Sequence, residues 1–432
     1  MIFTKKYNRS RVCWQVNQYI KVKIVIKTMG CKANRYESEK LKEDLSEKAL
    51  VVDSEVCNFK DADMIIVNTC TVTHVADRKS RQAISHMKKL YPGAVVVVFG
   101  CGSNVDPQKY KDLPNVDHVF AERNEIKKLV DKMNDKCDHS TAAPNRTRAL
   151  VKIQDGCNNF CSYCIVPYAR GREKSRPHFE ILDEVQELVK KGYREVVITG
   201  INIGAYDHNN LNFADLIELI LNETDIERLR ISSIEPHNFS EKFYKLFENP
   251  RLCPHLHISL QSGCNAILKS MNRRYSTEDY ANLVDRLRDV SPRMSITTDV
   301  IVGFPGETEG LFNETVNFVK KIGFSKIHIF PYSKRKGTVA ADMPDQVTDE
   351  VKKRRCDFLS AIEKQMRRDF YERNTGETEE LLVEKIENGF AHGFTKNYIK
   401  TRVKGDFEPN KIIHIALDNV DDKIEMIGSL KP

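Results

Sequence analysis

Short β-branched runs separated by helical stretches recur along most of this chain, and that alternation constrains its fold more than any other feature. From about residue 23 to 134, "VKIVIKTMG", "ADMIIVNTC" and "GAVVVVFGC" read as strands, while "KLKEDLSEKA" and "ADRKSRQAISHMKKLY" read as helices between them. Continuous β-branched runs joined by helices make βαβ units around a parallel sheet. The polar stretch 135–147, "DKCDHSTAAPNRT", has no periodicity and reads as a linker. The alternation resumes at 148 with strands in "ALVKIQ", "REVVITG", "RLRISSI", "HLHISL", "MSITTDVIV" and "KIHIFPY", and helices such as "EILDEVQELVKKG" and "FADLIELILNE". Six strand–helix pairs predict an incomplete TIM-like barrel, with functional groups on the loops after the strands.

A long amphipathic helix is expected over 346–374, with Val351, Phe358, Ile362, Met366 and Phe370 on its apolar face and Lys352, Lys353, Arg354, Arg355, Arg367 and Arg368 on the others. From 375 the text turns to short strands and turns, which predicts a small all-β unit of five-stranded, OB-like type. The fold class is therefore α/β: an N-terminal parallel α/β domain over 23–134, a central incomplete (β/α)6 barrel over 148–374 and a small β-barrel over 375–432. The first 22 residues are basic, contain Trp14 and lack the apolar core of a secretory signal; they read as a disordered extension.

Lys and Arg exceed Asp and Glu by 68 to 61, which permits a polyanionic partner without requiring one. The longest unbroken apolar run, Ala94 to Phe99, is far short of the roughly 20 residues of a membrane helix. No membrane span is expected, and the compartment is taken as cytoplasmic and reducing. The 12 cysteines then read as metal ligands, catalytic thiols or core residues rather than disulfides.

Three of them fall in "DGCNNFCSYCIVPYARG", at Cys157, Cys161 and Cys164, on the loop after the first barrel strand. A zinc site would need a fourth ligand, and the nearest candidate, His178, fits no familiar zinc spacing. Plain core cysteines are a second reading. In a third, the three thiolates hold three irons of a 4Fe–4S cluster and leave the fourth iron open to a small molecule. A second set lies in the N-terminal domain. Cys31, Cys70 and Cys101 each sit just past the carboxyl end of a predicted parallel strand, where open α/β sheets gather ligands. Cysteine is also common inside β-rich segments, but three strand-end placements out of three point to a shared site. Cys13, Cys57, Cys137, Cys253, Cys264 and Cys356 lack such placement and read as structural, with Cys264, beside "SLQSG", nearest the barrel mouth.

The Cys-x3-Cys-x2-Cys spacing, with Tyr163 before the last cysteine, resembles the radical S-adenosylmethionine superfamily, and "VGFPGET" after the fifth barrel strand resembles its adenosine-contacting stretch. "TMGCKANRYESE", "NTCTVTHVADRKSRQ", "FGC", "DGCNNFCSYCIVPYARG", "ITGINIG", "SLQSGCNAILKSMNRRY" and "VGFPGET" then follow in this order, with a small β domain behind them. Together they resemble the radical S-adenosylmethionine methylthiotransferases from about residue 23 to the end. The resemblance implies two [4Fe–4S] clusters: one on Cys157, Cys161 and Cys164, which binds S-adenosylmethionine and yields a 5′-deoxyadenosyl radical, and one on Cys31, Cys70 and Cys101, which delivers sulfur. It also implies cofactor contacts from Tyr163, Arg170, Glu235, Gln261, Gly303, Pro305 and Gly306, the two glycines allowing close backbone approach.

Within that family, "GCKANRYESE" and "NTCTVTHVADRKSR" resemble the branch that modifies C2 of N6-threonylcarbamoyladenosine at tRNA position 37, beside the anticodon. The isopentenyladenosine branch usually reads "GCQMN" at the first site, and a third branch modifies an aspartate of a ribosomal protein. An adenine C2–H is neither acidic nor electrophilic, so a radical must abstract its hydrogen, and the protein's part is to place the base and exclude water. An electron donor such as flavodoxin or ferredoxin is implied. A contrasting class is an iron–sulfur or zinc protein that binds RNA without modifying it. The C-terminal unit resembles the TRAM module of RNA-binding proteins. It is net acidic, with eight Lys/Arg against eleven Asp/Glu, yet 388–405 holds no acidic residue and interleaves Lys396, Lys400, Arg402 and Lys404 with Phe390, Phe394 and Tyr398. Lys396, Tyr398, Lys400, Arg402 and Lys404 are the candidate RNA contacts. The alternative is an ordinary strand pair with its aromatics in the core.

Overall fold

A computed structural model describes residues 22–57, 59–133, 147–237 and 239–431. The extension 1–22, with Cys13 and Trp14, and the linker with Cys137 lie outside the described residues, apart from Val22 and Thr147.

The N-terminal sheet has five parallel strands, β1 (Val22–Thr28), β2 (Ala49–Asp53), β3 (Met64–Thr69), β4 (Val95–Gly100) and β5 (His118–Val119), in the order β2-β1-β3-β4-β5. Helices α1 (Lys32–Ser46) and α2 (His74–Leu90) follow β1 and β3. Both faces of the sheet are buried in apolar clusters, around Ile24, Ile66 and Val97 on one side and Ile65, Val67 and Val98 on the other. That two-sided burial explains why the strands read as unbroken β-branched runs. The edge strands β2 and β5 are not among the expected strands, although β2 carries a short apolar run of its own, Ala49–Val52. Register decides what happens at the carboxyl edge: Thr28 stands opposite Asn68, Asn68 opposite Phe99, and Thr69 opposite Gly100. The chain therefore leaves three neighbouring strands at one level, which places Cys31, Cys70 and Cys101 together.

The central region carries the six expected strands as seven parallel elements, because "RLRISSI" splits in two: β6 (Arg148–Lys152), β7 (Glu195–Thr199), β8 (Arg228–Ile231) and the short β9 (Ser233–Ile234), β10 (His255–Ile258), β11 (Ser295–Val302) and β12 (Lys326–Pro331). They form two sheet segments, β8-β7-β6 and β9-β10-β11-β12, linked by a bridge between Leu229 and Leu252. One large apolar core packs helices such as His178–Lys190 and Phe213–Glu223 on the outside of this wall.

The helix Asp349–Glu372 is present, but its buried face is Arg355, Leu359, Glu363, Phe370 and Tyr371, and Phe358 is 51% exposed. The expected apolar face is rotated because Arg355 turns inward to pair with the buried Glu307, at 2.7 Å. Arg355 is thus not a surface charge.

The C-terminal strands β13 (Thr378–Glu387), β14 (Phe390–Thr395), β15 (Lys400–Lys404), β16 (Ile412–Val420) and β17 (Met426–Leu430) form a closed barrel in the order β13-β14-β15-β17-β16. Its β14–β15 turn docks on the amino ends of the central strands. Arg228 and Arg230 donate to the carbonyls of Phe394, Thr395 and Lys396 at 3.3, 3.3 and 2.9 Å. Both arginines are buried against one carboxylate, Glu195, at 2.9 and 2.7 Å. Burial alone would raise the Glu195 pKa, but Arg230 and Arg228 hold it down to about 2. Among the described residues no helix is long and apolar enough to cross a membrane.

Candidate active site

The first cysteine trio converges around Asn34, near the start of α1. The Asn34 amide donates to the carbonyls of Met29 and Thr69 at 3.0 and 2.9 Å, and to Asn68 Oδ1 at 3.1 Å. Asn68 returns the bond to Asn34 O at 2.8 Å. This buried pair fixes the loops after β1 and β3. Asn34 Oδ1 then lies 3.4 Å from Cys31 Sγ and 3.7 Å from Cys101 Sγ. Cys70 closes the group. A Cβ on Gly30, whose φ is +98°, would lie 2.8 Å from Cys70 Sγ, so only glycine lets the Cys31 loop approach that closely. Burial pushes Cys70 up and Cys101 up to about 12, so both are neutral thiols unless a metal ion displaces the proton.

The second trio sits on the loop after β6. Its turn is held by a bond from Cys164 N to Cys161 O at 2.9 Å and one from Asn159 N to Cys157 Sγ at 3.4 Å. Burial pushes Cys157 up to about 11 and Cys164 up to about 12.

Each trio has one buried arginine donating to a sulfur. Arg170 Nε donates to Cys101 Sγ at 3.1 Å, and Arg273 Nη1 donates to Cys161 Sγ at 3.3 Å. Guanidinium groups aimed at sulfur suit thiolates that carry net negative charge, as in an iron–sulfur cluster, better than neutral thiols. The donor set therefore fits the group the sequence implies. Among the described residues no group of three or more His, Cys, Asp or Glu side chains is placed to hold a single metal ion. Thiolates on a four-iron cube bind different irons and stand farther apart than ligands sharing one ion.

Arg170 also joins the two regions. It donates to Glu37 at 2.7 Å, to Asp155 at 3.1 Å and to Asn34 Oδ1 at 2.8 Å. Burial works against its charge, but Glu37 and the Cys101 sulfur raise its pKa. It belongs to the loop of the second trio, yet its side chain contacts the first.

The other expected cofactor residues lie around the same carboxyl end. Glu235 pairs with Arg273, and Gln261, at φ +68°, bridges to β11 through Asp299 O at 2.8 Å and Ile301 N at 2.9 Å. The turn Gly303–Glu307 is tied by Glu307 Oε2 accepting from Gly303 N at 2.6 Å. Gly303 packs on Lys352, whose Cγ would lie 2.4 Å from an added Cβ; Gly306 faces open space, and Pro305 is buried. Tyr163 is partly buried beside Cys264, Met271 and Phe304, and burial raises its hydroxyl pKa well above normal. Cys264 is a core residue here. Cys253 is buried and Cys356 partly buried, and Cys57 bonds Tyr91 Oη at 3.3 Å.

Beside Cys31 lies a cavity of about 1300 Å³, lined by Thr199, Ser232 and Asp299 toward the strand ends and by Arg148, His255 and Tyr398 toward the C-terminal barrel. The N-terminal region contributes Cys31 and Lys32 to its wall. Tyr398 lines the side toward the C-terminal barrel, stacked between His255 and Phe394 at 4.4 and 4.5 Å and contacted by Arg230 at 4.8 Å. The remaining candidate RNA contacts lie on the C-terminal barrel. Lys396 pairs with Glu380, Lys400 with Glu425 and Arg402 with Asp421, at 3.0, 3.3 and 3.0 Å, and Lys404 is exposed. Sequence reasoning missed Arg273, Asn34, Lys32 and the Glu195 ion trio. Arg273 and Lys32 lay inside quoted motifs but had no role assigned, and "RLRI" shows only that two cations share one strand face.

Residues 151–319 match the Radical SAM superfamily, and residues 23–121 match uncharacterized protein family UPF0004. The chain is 38% identical over 412 residues to the threonylcarbamoyladenosine tRNA methylthiotransferase MtaB of Bacillus subtilis (strain 168), covering 88% of this chain and 90% of that protein. It is 37% identical to the protein of that name from Thermotoga maritima, over 88% and 91% of the two chains. It is 36% identical to the tRNA-2-methylthio-N(6)-dimethylallyladenosine synthase of Thermoanaerobacter sp. (strain X514), over 94% and 88%. Among solved structures, the radical S-adenosylmethionine methyltransferase TsrM from Kitasatospora setae shares the fold, with a TM-score of 0.54 at 16% identity, over 74% of this chain and 77% of that one.

Proposed function

The chain belongs to the radical S-adenosylmethionine tRNA methylthiotransferases, transferases that use S-adenosylmethionine and [4Fe–4S] clusters, and within that family we propose that it methylthiolates C2 of N6-threonylcarbamoyladenosine at position 37 of tRNA. The observation that carries this reading is the pair of thiol trios, each with an arginine on sulfur, and the cavity onto which Cys31 opens. The substrate follows the relatives named for threonylcarbamoyladenosine, at 35–38% identity.

Cys157, Cys161 and Cys164 would hold the cluster that binds S-adenosylmethionine, and Cys31, Cys70 and Cys101 the cluster that carries sulfur. When bound, the first supplies the electron that splits the sulfonium and the second supplies the sulfur for transfer. Arg273 and Arg170 orient the thiolates and offset their charge. Glu235, Gln261 and the Gly303–Gly306 turn, with Pro305, seat the cofactor at the strand ends, and Tyr163 backs the loop. The cavity receives the base, and the Tyr398 stack bounds it on the side of the C-terminal barrel. We take the central wall as the incomplete (β/α)6 barrel of radical enzymes and the closed barrel as a TRAM-type module. Its exposed Lys400 and Lys404 are the most accessible of its candidate contacts for the anticodon-loop backbone. A small reduced carrier, flavodoxin or ferredoxin, would deliver the electron.

The test is an anaerobic reaction with S-adenosylmethionine, reductant and tRNA carrying threonylcarbamoyladenosine, isopentenyladenosine or plain adenosine at position 37, read by nucleoside mass spectrometry. The methylthio product is expected on the threonylcarbamoyl tRNA. Product confined to the isopentenyl tRNA overturns the substrate assignment, and no product on any RNA overturns the reading altogether.

A further inference from the structure

The cavity wall carries more positive charge than it balances. Of its cations, Arg148 pairs with Glu384 at 2.6 Å, Arg230 with Glu195 at 2.7 Å, Arg367 with Glu363 at 3.5 Å and Lys400 with Glu425 at 3.3 Å. Of its two lining carboxylates, Glu384 is the Arg148 partner and Asp299 lies 3.3 Å from His257 Nε2. Lys32 is different. It follows Cys31 directly, and its side chain lines the cavity. Among the described residues its ammonium makes no ion pair or hydrogen bond, and the charged groups acting on it are Tyr398, Arg148, Arg230 and Glu195. Lys32 is exposed toward the cavity, and a cation facing such a space with no protein anion in contact is free to take an anionic ligand.

Resting on the substrate reading above, we propose that Lys32 is a specificity-determining residue that binds the free carboxylate of the threonylcarbamoyl substituent. The chemistry separates the two nucleosides named among the relatives. A threonylcarbamoyl group ends in a carboxylate, whereas a dimethylallyl group is pure hydrocarbon with nothing for an ammonium to bind. The geometry of adenine places the contact. C2 and the carbon bearing N6 flank the same ring nitrogen, N1. A base presented with C2 toward the Cys31 site therefore brings its N6 substituent to the same wall, where the next residue after Cys31 is Lys32. The ammonium donates up to three hydrogen bonds to the carboxylate. Lys32 takes no part in bond making; it selects the substituent.

The test uses anticodon stem–loops with threonylcarbamoyladenosine, its carboxamide analogue and plain adenosine, measured for Kd and kcat/KM on wild-type holoenzyme, Lys32→Gln and Lys32→Arg, with iron content checked for each. Wild type should favour carboxylate over carboxamide by about 10- to 100-fold, the range of one charge-assisted hydrogen bond. Lys32→Gln should bind the two alike, and Lys32→Arg should keep much of the preference. The wild-type comparison needs no variant, so a misfolded Lys32→Gln leaves the test intact. Equal wild-type affinity for carboxylate and carboxamide, with product still formed on the threonylcarbamoyl RNA, overturns the Lys32 assignment alone. An equal loss on all three RNAs in Lys32→Gln makes Lys32 a phosphate contact and also overturns it. No product on the threonylcarbamoyl RNA overturns both this assignment and the substrate reading beneath it.

Discussion

Replacing Glu195 by Gln should destabilise the central wall and loosen the C-terminal barrel from it. The glutamate is fully buried and balances two buried arginines, Arg228 and Arg230, whose other donors hold three carbonyls of the β14–β15 turn. Glutamine keeps the shape but leaves two buried guanidinium groups without a counter-charge. Breaking a buried pair in this way costs about 3–5 kcal/mol. The carboxyl pKa gives an independent figure: a fall from 4.5 to about 2 corresponds to on the order of 3 kcal/mol. The two agree. At roughly 2–4 °C per kcal/mol for a domain of this size, the apparent Tm should fall by about 6–20 °C. Anaerobic calorimetry on wild type and variant of matched iron content measures it, and limited proteolysis near residue 375 should speed up. The sign of the pH dependence follows from the depressed carboxyl. Its contribution is complete above the unfolded value of 4.5 and disappears as pH falls toward about 2. The stability gap between wild type and Glu195→Gln should therefore narrow over that interval. A Tm drop under about 2 °C, with proteolysis unchanged, would refute the claim that this ion trio holds the barrel in place.

Four further substitutions separate the parts of the site. Cys157→Ala should lose S-adenosylmethionine cleavage, seen as absent 5′-deoxyadenosine by chromatography. Cys70→Ala should keep that cleavage and lose methylthio transfer. Arg170→Lys replaces a fork by a point charge beside Cys101, so transfer should fall about 10- to 100-fold while cleavage falls less, as measured by the two product assays. Gly303→Ala forces a side chain into φ +72° against Lys352; the strain of about 1–2 kcal/mol should raise the Kd for S-adenosylmethionine by about 5- to 30-fold in equilibrium binding.

The alternation of strands and helices was most legible in the N-terminal domain, where both faces of the sheet are buried, which writes unbroken apolar runs into the text. The cysteine trios were legible because each N-terminal thiol follows a strand end and the central three share one loop. Other features depend on which way a side chain turns, and the sequence is silent there. The helix Asp349–Glu372 buries Arg355 rather than Phe358, since Glu307 waits for it across the interface. Alternating charge in "RLRI" looks like a solvated strand face until Glu195 and the C-terminal carbonyls are seen around it. Tyr398 sat in a basic, aromatic stretch that suggested a surface; docking places it against His255 at the cavity's end. Lys32 was visible in the text, but its place on the cavity wall, with no ion pair among the described residues, emerges only from the fold.

Iron stoichiometry of the anaerobically prepared protein tests the central claim most directly, measured beside a variant in which Cys31, Cys70 and Cys101 are all Ala. Two cubes of four irons predict about eight irons per wild-type chain and about four per variant chain, the variant still cleaving S-adenosylmethionine while transferring no methylthio group. About four irons in the wild type, zinc in place of iron, or undiminished transfer by the variant would contradict it.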